Sequence, residues 1–357
     1  ISEVLDCWVE SGSMPFAQMH YPFENKEKFE NNFPAQFISE YISQTRAWFY
    51  VMHVMSAALF DSHSFENVIA TGVILNEKGE KMSKSKKNYP DPWKVINEYG
   101  ADALRFYLMS SSLMQAENLF FNERDLRDVF RKNIMILWNV YKFYEMHASA
   151  YYGSLASKSE AKLLAATSEN ILDKWIVAKL NVLAKDVTEN MKNYNLPKAT
   201  RPISDFINDF STWYIRRSRD RFKAEQTPPP PFQRGVKGVK PFTRGADRKA
   251  AIETTRFVLL ELAKIIAPVM PFMAETIWQK VTGYDFKDEN KSVHLTAWVE
   301  YDDPMETDDL AILKQMEEVR KIVELGLKAR DEAGIKVRQM LRKFSIFNFQ
   351  FSMNNEY

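Results

Sequence analysis

Residues 67–88 read NVIATGVILNEKGEKMSKSKKN, and the two halves of this stretch ask for different structures. Asn67 to Leu75 are apolar and partly β-branched, which predicts a buried strand. Gly79 and the lysines Lys81, Lys84, Lys86 and Lys87 follow, which predicts a mobile loop leaving the strand's carboxyl end. Upstream, Thr45 to Phe60 predicts a helix with Trp48, Met52, Met55 and Leu59 on one face. Phe37-Ile38-Ser39, after Pro34, predicts another strand. Strand, helix, strand is the pattern of an α/β unit with parallel strands. Ligands of such sheets bind beyond the carboxyl ends of the strands, here near Glu40 to Gln44 and near Asn76 to Lys87.

Downstream of Pro92 the pattern turns helical. Pro92 sits where a first helical turn accepts proline, Gly100 ends that helix, and Ala101 to Ser110 predicts the next. Long amphipathic stretches follow over 123–148, 169–194, 196–222, 248–267 and 308–333, joined by short polar segments, which predicts a bundle. Thr227 to Gly245 interrupts them with four consecutive prolines and the near-repeat PFQRG/PFTRG. It reads as a low-complexity, extended surface insertion; a proline-rich docking segment is the functional alternative. The fold class expected is therefore α/β followed by all-α.

Composition bounds the functions. The 357 residues suffice for two or three domains, and 48 basic against 47 acidic residues leave no global field for nucleic acid. A nucleic-acid surface must be a local patch. One cysteine, Cys7, excludes an internal disulfide framework and a multi-cysteine zinc site, and it reads as a small buried hydrophobe. The five histidines lack metal-ligand spacing. The apolar stretch Phe49 to Phe60 is shorter than the roughly 20 residues of a bilayer span, and no secretory signal is recognisable. The chain starts at Ile1 and ends at Asn354-Asn355-Glu356-Tyr357, which reads as part of something longer.

The lysine loop is the strongest chemical signal. Two lysines three apart, Lys81 and Lys84, with small hydroxyl residues between them, can close on a polyphosphate and stabilise charge building on phosphoryl oxygens. A solvated basic loop is the bland alternative. A second cluster, Arg216, Arg217, Arg219, Arg221 and Lys223, lies in one predicted helix with Trp213, Tyr214 and Phe222 interleaved. Residues 201–250 hold 12 Lys and Arg against 5 Asp and Glu. Arginine can contact phosphate and stack on unpaired bases. A solvated helical face is again the alternative, and some of these arginines are expected to pair with Asp205, Asp209 or Asp220.

The order of these segments resembles one family. GEKMSKSKKN after VIATGVIL resembles the KMSKS signature of class I aminoacyl-tRNA synthetases. LDCWVESGSMPFAQ (5–18), FPAQFISEYISQTRAWFY (33–50), NYPDPWKVINEYGADALRFYLMSS (88–111), STWYIRRSRDRF (211–222) and EAGIKVRQ (332–339) resemble the isoleucyl-tRNA synthetases. The resemblance implies the C-terminal half of a Rossmann-like catalytic domain with its KMSKS loop (1–87), a stem-contact junction (88–127), a helical anticodon-binding domain (128–300, with 227–245 inserted) and the start of a C-terminal region (301–357). It implies that Lys81 and Lys84 bind ATP and stabilise adenylate formation, with Ser83 and Ser85 supporting the loop. Glu40 would hold the isoleucine ammonium, Gln44 would contact the amino acid or adenylate, and Trp8 and Trp48 would wall the side-chain pocket. Trp8 and Trp48 could equally be core residues, Glu40 a surface carboxylate and Gln44 a helix-start residue.

Further expectations follow from the resemblance: isoleucine–tRNA ligase activity, ATP with Mg2+ as substrate and counter-ion, no zinc site, tRNA-Ile as partner, no membrane, a monomer, and a cytoplasmic location. Arg216, Arg217, Arg219, Arg221 and Lys223 would contact tRNA, and Arg105 would help couple loop closure to tRNA docking. Ser43 and Ala47 stand where many members carry aspartate and glycine. No His-x-Gly-His pattern occurs in the 357 residues. The chain is therefore expected to hold about half of a catalytic site and to be inactive by itself. A tRNA-binding module without activity is the alternative function.

Overall fold

The computed structural model describes residues 7–82, 91–152, 168–223, 244–337 and 339–340. Ser83, Lys84, Ser85 and nearly all of the proline-rich stretch lie outside the described residues. The chain falls into two compact units, residues 1–305 and 306–357.

The first unit opens with α1 (Cys7–Ala17) and the short α2 (Lys26–Glu30), then β1 (Ile38–Tyr41), a 3-10 turn (Ile42–Arg46) and α3 (Trp48–Phe60). The chain continues into β2 (Val68–Thr71). β1 and β2 pair in parallel, with Ile38 opposite Val68 and Glu40 opposite Ala70, so the expected strand–helix–strand unit is present. α1 packs closely on α3 at buried Gly12, where an added Cβ would meet the Val51 carbonyl at 3.2 Å and Met55 Cγ at 3.3 Å. Phe29 is buried among Tyr21, Phe33 and Phe60.

Two sequence expectations change here. The helix begins at Trp48 rather than Thr45, and its buried face is Phe49, Met52 and Ser56. Leu59 is 59% exposed. The helix is apolar nearly all round, so periodicity alone does not choose the buried side; α1 meets it along Trp48, Val51 and Met55, while the buried Phe49 lies against Phe65. The run 67–75 is also not one strand. It breaks after β2, and β3 (Ile74–Leu75) pairs instead, in parallel, with β4 (Leu119–Phe120). Gly72 is the break: a Cβ there would lie 1.8 Å from the Glu117 carbonyl oxygen, and its N–H donates to the Leu113 oxygen at 2.8 Å.

Asp91 caps α4 (Pro92–Tyr99) by accepting from Trp93 N at 3.0 Å. Gly100, at φ 83, turns the chain into α5 (Ala101–Met109). Val95, Tyr99, Ala103, Tyr107 and Leu126 form a small core for this junction. α6 (Glu123–Val129) runs through a π-helical segment (Phe130–Met135) into α7 (Ile136–Tyr152). α8 (Ile171–Lys192) and α9 (Leu196–Asp209) follow; a second π segment (Phe210–Ile215) carries α9 into α10 (Arg216–Phe222). α11 (Arg244–Ile266) and α12 (Pro271–Thr282) complete the bundle. Trp175, Tyr141, Tyr144, Tyr214, Phe210 and Phe222 are fully buried in it.

The second unit holds α13 (Thr307–Glu332). Gly334, at φ 65, ends it, and Arg330 Nη1 donates to the carbonyls of Lys336 (2.9 Å) and Gln339 (3.0 Å).

Candidate functional site

Glu40 lies near the carboxyl end of β1, where Ser39 and Glu40 are both exposed between the half-buried Ile38 and Tyr41, and a strand-end carboxylate stays hydrated. Its Oε1 accepts from the Tyr41 N–H at 3.0 Å. Tyr41 presents its ring to the lysine loop: Lys81 Nζ stands 5.8 Å from the ring centroid, at the outer range of a cation–π contact. A basic residue 41 positions downstream of Glu40 thus arrives beside the residue that follows it.

The route of Lys81 is set by a tight turn. Asn76 N donates to the Glu80 oxygen at 2.9 Å, and Asn76 Oδ1 accepts from Lys78 N (3.0 Å) and Glu80 N (2.9 Å). Asn76 Nδ2 also reaches Glu80 Oε2 at 2.9 Å. Gly79 supplies φ 80, which glycine adopts without a Cβ clash. Leu75 and Lys81 then form an antiparallel bridge. Asn76 was not among the predicted site residues, yet Asn-x-x-Gly is turn chemistry legible in sequence.

On the other side of Glu40 the chain enters the 3-10 turn. Gln44, half-buried there, accepts from Trp48 N through Oε1 at 3.0 Å, so it closes the start of α3. Trp48 donates from its indole to the Ser11 carbonyl at 3.2 Å. Ser11 is on α1, three residues after Trp8, and its hydroxyl donates back to the Trp8 carbonyl at 3.3 Å. Bonded contacts and short chain steps therefore link Trp8, Trp48, Gln44, Glu40 and Lys81. Trp48 is half-buried and Trp8 is 41% exposed, so Trp8 is not a core residue. Cys7 is exposed, correcting the buried reading; it starts α1, whose first four residues are all exposed.

The basic helix divides into two populations. Arg216, Arg217 and Arg219 are exposed. The Arg217 guanidinium lies 4.2 Å from the Trp213 ring centroid. Lys223 pairs with Asp220 at 2.6 Å on the surface. Arg221 faces inward and corrects the expectation of an RNA contact. It grips Asp173 with two parallel bonds of 2.7 Å and reaches Asp247 from Nε at 2.8 Å. Asp173 is 0% exposed and also accepts from Tyr214 OH and Ser168 Oγ, both at 2.7 Å. The expected aspartate partners are not those of Arg221: Asp209 pairs with Lys179, and Asp220 with Lys223.

The junction carries a third arrangement. Asp102, buried on α5, accepts from Met273 N at 2.6 Å and Phe272 N at 3.3 Å, capping α12 from outside that helix. Arg105, one turn later, donates to the Pro268 oxygen (2.8 Å) and the Val269 oxygen (3.2 Å) at the end of α11. One turn of α5 thus presents an acceptor to the orphan N–H groups that open α12 and a donor to two carbonyls of the turn that follows α11. Burial pushes the Asp102 carboxyl above its ordinary pKa, opposed by the two backbone N–H groups. A groove of about 580 Å³ beside it, between Tyr99, Phe130, Trp138 and Phe272, shares no residue with the Glu40–Lys81 cluster.

Comparison with known proteins adds the context. Residues 1–120 match the family described as class I tRNA synthetases (I, L, M and V), and residues 173–345 match the anticodon-binding domain of tRNA ligases. The chain is 43% identical to an isoleucine–tRNA ligase of Clostridium novyi over 97% of its own length and 31% of that protein. It is 42% identical to one of Protochlamydia amoebophila over 96% of its length and 30% of that protein. It spans about a third of the relatives it matches. Among solved structures, a ternary complex of a leucyl-tRNA synthetase from Agrobacterium radiobacter K84 with tRNA and LeuAMS aligns at a TM-score of 0.59 and 16% identity, over 84% of this chain and 33% of that one. Mycobacterium tuberculosis methionyl-tRNA synthetase with methionyl-adenylate aligns at 0.59 and 18%, over 84% and 54%.

Proposed function

Because the chain belongs to the class I tRNA synthetases, we propose that it supplies part of an isoleucine–tRNA ligase, which activates isoleucine with ATP and transfers it to the 3′ end of tRNA-Ile. The observation that carries this reading is the approach of Lys81 to the β1 terminus, 5.8 Å over the ring of Tyr41, the residue that follows Glu40.

In this reading Glu40 accepts hydrogen bonds from the isoleucine ammonium, a charge-assisted contact. Trp8 and Trp48 flank the branched side chain. The Gln44 carbonyl already serves Trp48, so Gln44 offers the substrate its Nε2 hydrogens. ATP enters as substrate with its Mg2+ counter-ion. The isoleucine carboxylate attacks the α-phosphorus, pyrophosphate leaves, and the ammonium groups of Lys81 and Lys84 stabilise the charge gathering on the phosphoryl oxygens. Ser83 and Ser85 support that loop. A hydroxyl of the terminal ribose at the tRNA 3′ end then attacks the acyl carbon of the adenylate, forming the ester and releasing AMP.

The exposed Arg216, Arg217, Arg219 and Lys223 fit contacts to tRNA, with the Trp213–Arg217 stack offering a surface for an unpaired base. Arg221 holds the helix that presents them. We place the enzyme in the cytoplasm, as a monomer. A tRNA-binding module without activity remains the second reading, favoured by the same exposed arginines.

Isoleucine-dependent ATP–pyrophosphate exchange separates the two. The chain completed to the length of its relatives by a His-x-Gly-His-bearing remainder exchanges with isoleucine and not with lysine, and the 357 residues alone do not. Lys81→Ala lowers the completed protein's rate by about 10²–10³, the usual loss for one transition-state donor. Absence of exchange in the completed protein refutes the ligase reading.

A further inference from the structure

The corner between α8 and α9 is built in an unusual way. Tyr194 adopts φ 53, a left-handed conformation that a bulky side chain keeps only when its surroundings hold it there. Its neighbours, Asn193 and Asn195, are residues that enter this region readily, yet the tyrosine occupies it. Tyr194 N donates to the Met191 oxygen at 3.0 Å and Asn195 N to the Asn190 oxygen at 2.8 Å, so the corner is closed by its own backbone. The ring lies on Phe37 with centroids 5.2 Å apart and planes 9° from parallel. Phe37 is 44% and Tyr194 38% exposed; this pair is not core filling.

Its two ends matter. Phe37 immediately precedes β1, which carries Glu40 three residues later. Tyr194 stands two residues before an unbroken helical run, 196–222, that carries Trp213, Arg216 and Arg217 toward its other end. That run spans about 40 Å at 1.5 Å per residue. Elsewhere Arg201, in its second turn, holds the Ser110 carbonyl at 2.8 Å, which ties the same helix to the junction.

We propose that Tyr194 is a positioning residue through which engagement of RNA at the Trp213–Arg217 end of this helix sets the seat of β1 and its Glu40. The corner acts as the near end of a lever: displacement at the arginine end tilts the helix, and the stacked ring passes the tilt to Phe37. The inference rests on the proposed ligase reading for its activity test, and one arm below does not.

In the completed synthetase, Tyr194→Gly removes the ring and suits the left-handed backbone, so the melting temperature stays within a few degrees of wild type. The account expects aminoacylation kcat to fall at least tenfold while isoleucine-dependent pyrophosphate exchange without tRNA stays within twofold. Phe37→Ala does the same, the double variant falls no further than either single one, and Tyr194→Phe keeps wild-type rates. Equal losses in exchange and aminoacylation, multiplying losses in the double variant, or wild-type aminoacylation in Tyr194→Gly overturn it. The second arm uses the 357-residue chain: amide hydrogen exchange at residues 38–41 slows on adding tRNA in wild type and Tyr194→Phe, but not in Tyr194→Gly. The same response in all three, or none in wild type, overturns the proposal. If wild-type synthetase lacks isoleucine-dependent exchange, the ligase reading fails and this second arm alone decides the lever.

Discussion

Five basic residues within eight positions look alike in sequence, and the structure gives them unlike work. Arg221 is 11% exposed and satisfies an aspartate that has no solvent of its own. Removing it strands Asp173 in the bundle, so Arg221→Ala is expected to cost about 3–5 kcal/mol, read by denaturant unfolding. Arg217→Ala is expected to leave stability within about 0.5 kcal/mol. It should instead weaken tRNA binding and reduce the slope of log K against log salt, measured by filter binding across salt concentrations. That some of these arginines pair with aspartates was legible; which ones face inward and with which partners was not, because Asp173 and Asp247 lie 48 and 26 residues away in sequence. His147 lies half-buried at this end of the bundle, against Phe143 and Phe222. Burial, then the nearby Arg248, pull its pKa below the ordinary value. Its contribution to stability is therefore present above the unfolded pKa of roughly 6.5 and is lost as pH falls through the lower folded value. The melting temperature of wild type relative to His147→Phe should decline from pH 7.5 to pH 5.

At the scale of elements, local chemistry set most boundaries correctly. Pro92 and Gly100 bracket α4 as expected from N1 proline and a terminating glycine. The long helices follow the 3.6-residue period; what the period hid was the two π segments, since one extra residue in a turn leaves the apolar pattern almost unchanged. The run NVIATGVIL hid more. Its apolar content is continuous, but a lone glycine inside a strand pattern marks a bulge or a close backbone approach, and Gly72 is such a place. Its missing side chain lets the Glu117 backbone pass and hands β3 to a new partner. Because the clash is with backbone, Gly72→Ala forces the strand or the 112–118 segment to move. We expect a loss on the order of 3 kcal/mol, read by thermal and denaturant unfolding. Gly100→Ala meets no atom within 4 Å but must hold φ 83 and ψ 153, a region kept almost to glycine, so its cost is backbone strain of roughly 1–3 kcal/mol.

At the scale of the molecule, the junction is the part least visible in sequence. GADALR reads as an ordinary amphipathic turn, and the groups it serves lie more than 160 residues downstream. Its helix places Asp102 and Arg105 on one side, so one turn secures both ends of the α11–α12 joint. Asp102→Ala is expected to cost about 1–2 kcal/mol as a lost cap, and Asp102→Asn less, because an amide oxygen still accepts. The raised Asp102 pKa has a defined sign. Its carboxyl favours the fold most below the unfolded value of about 3.9, and that contribution is lost as pH rises through the higher folded value. Asp102→Asn should flatten this component of the stability profile between pH 3.5 and pH 7. If the joint also ties tRNA docking to the lysine loop, Arg105→Ala lowers aminoacylation in an intact synthetase, and unchanged kinetics count against that coupling. The α/β start, the helical remainder and the sign of the local basic patch could all be read from residue order. Residue order also placed a ligand site near Glu40 to Gln44 and Asn76 to Lys87; what it left open was how Lys81 meets Glu40's strand, which depends on the Asn76 turn and on β1 and β2 lying side by side in register. That meeting is tested most directly by Glu40→Gln in the completed synthetase, with KM for isoleucine and for ATP measured by pyrophosphate exchange. A charge-assisted contact of about 1.5–3 kcal/mol predicts an isoleucine KM raised roughly 10–150-fold with the ATP KM within twofold; an unchanged isoleucine KM contradicts the account.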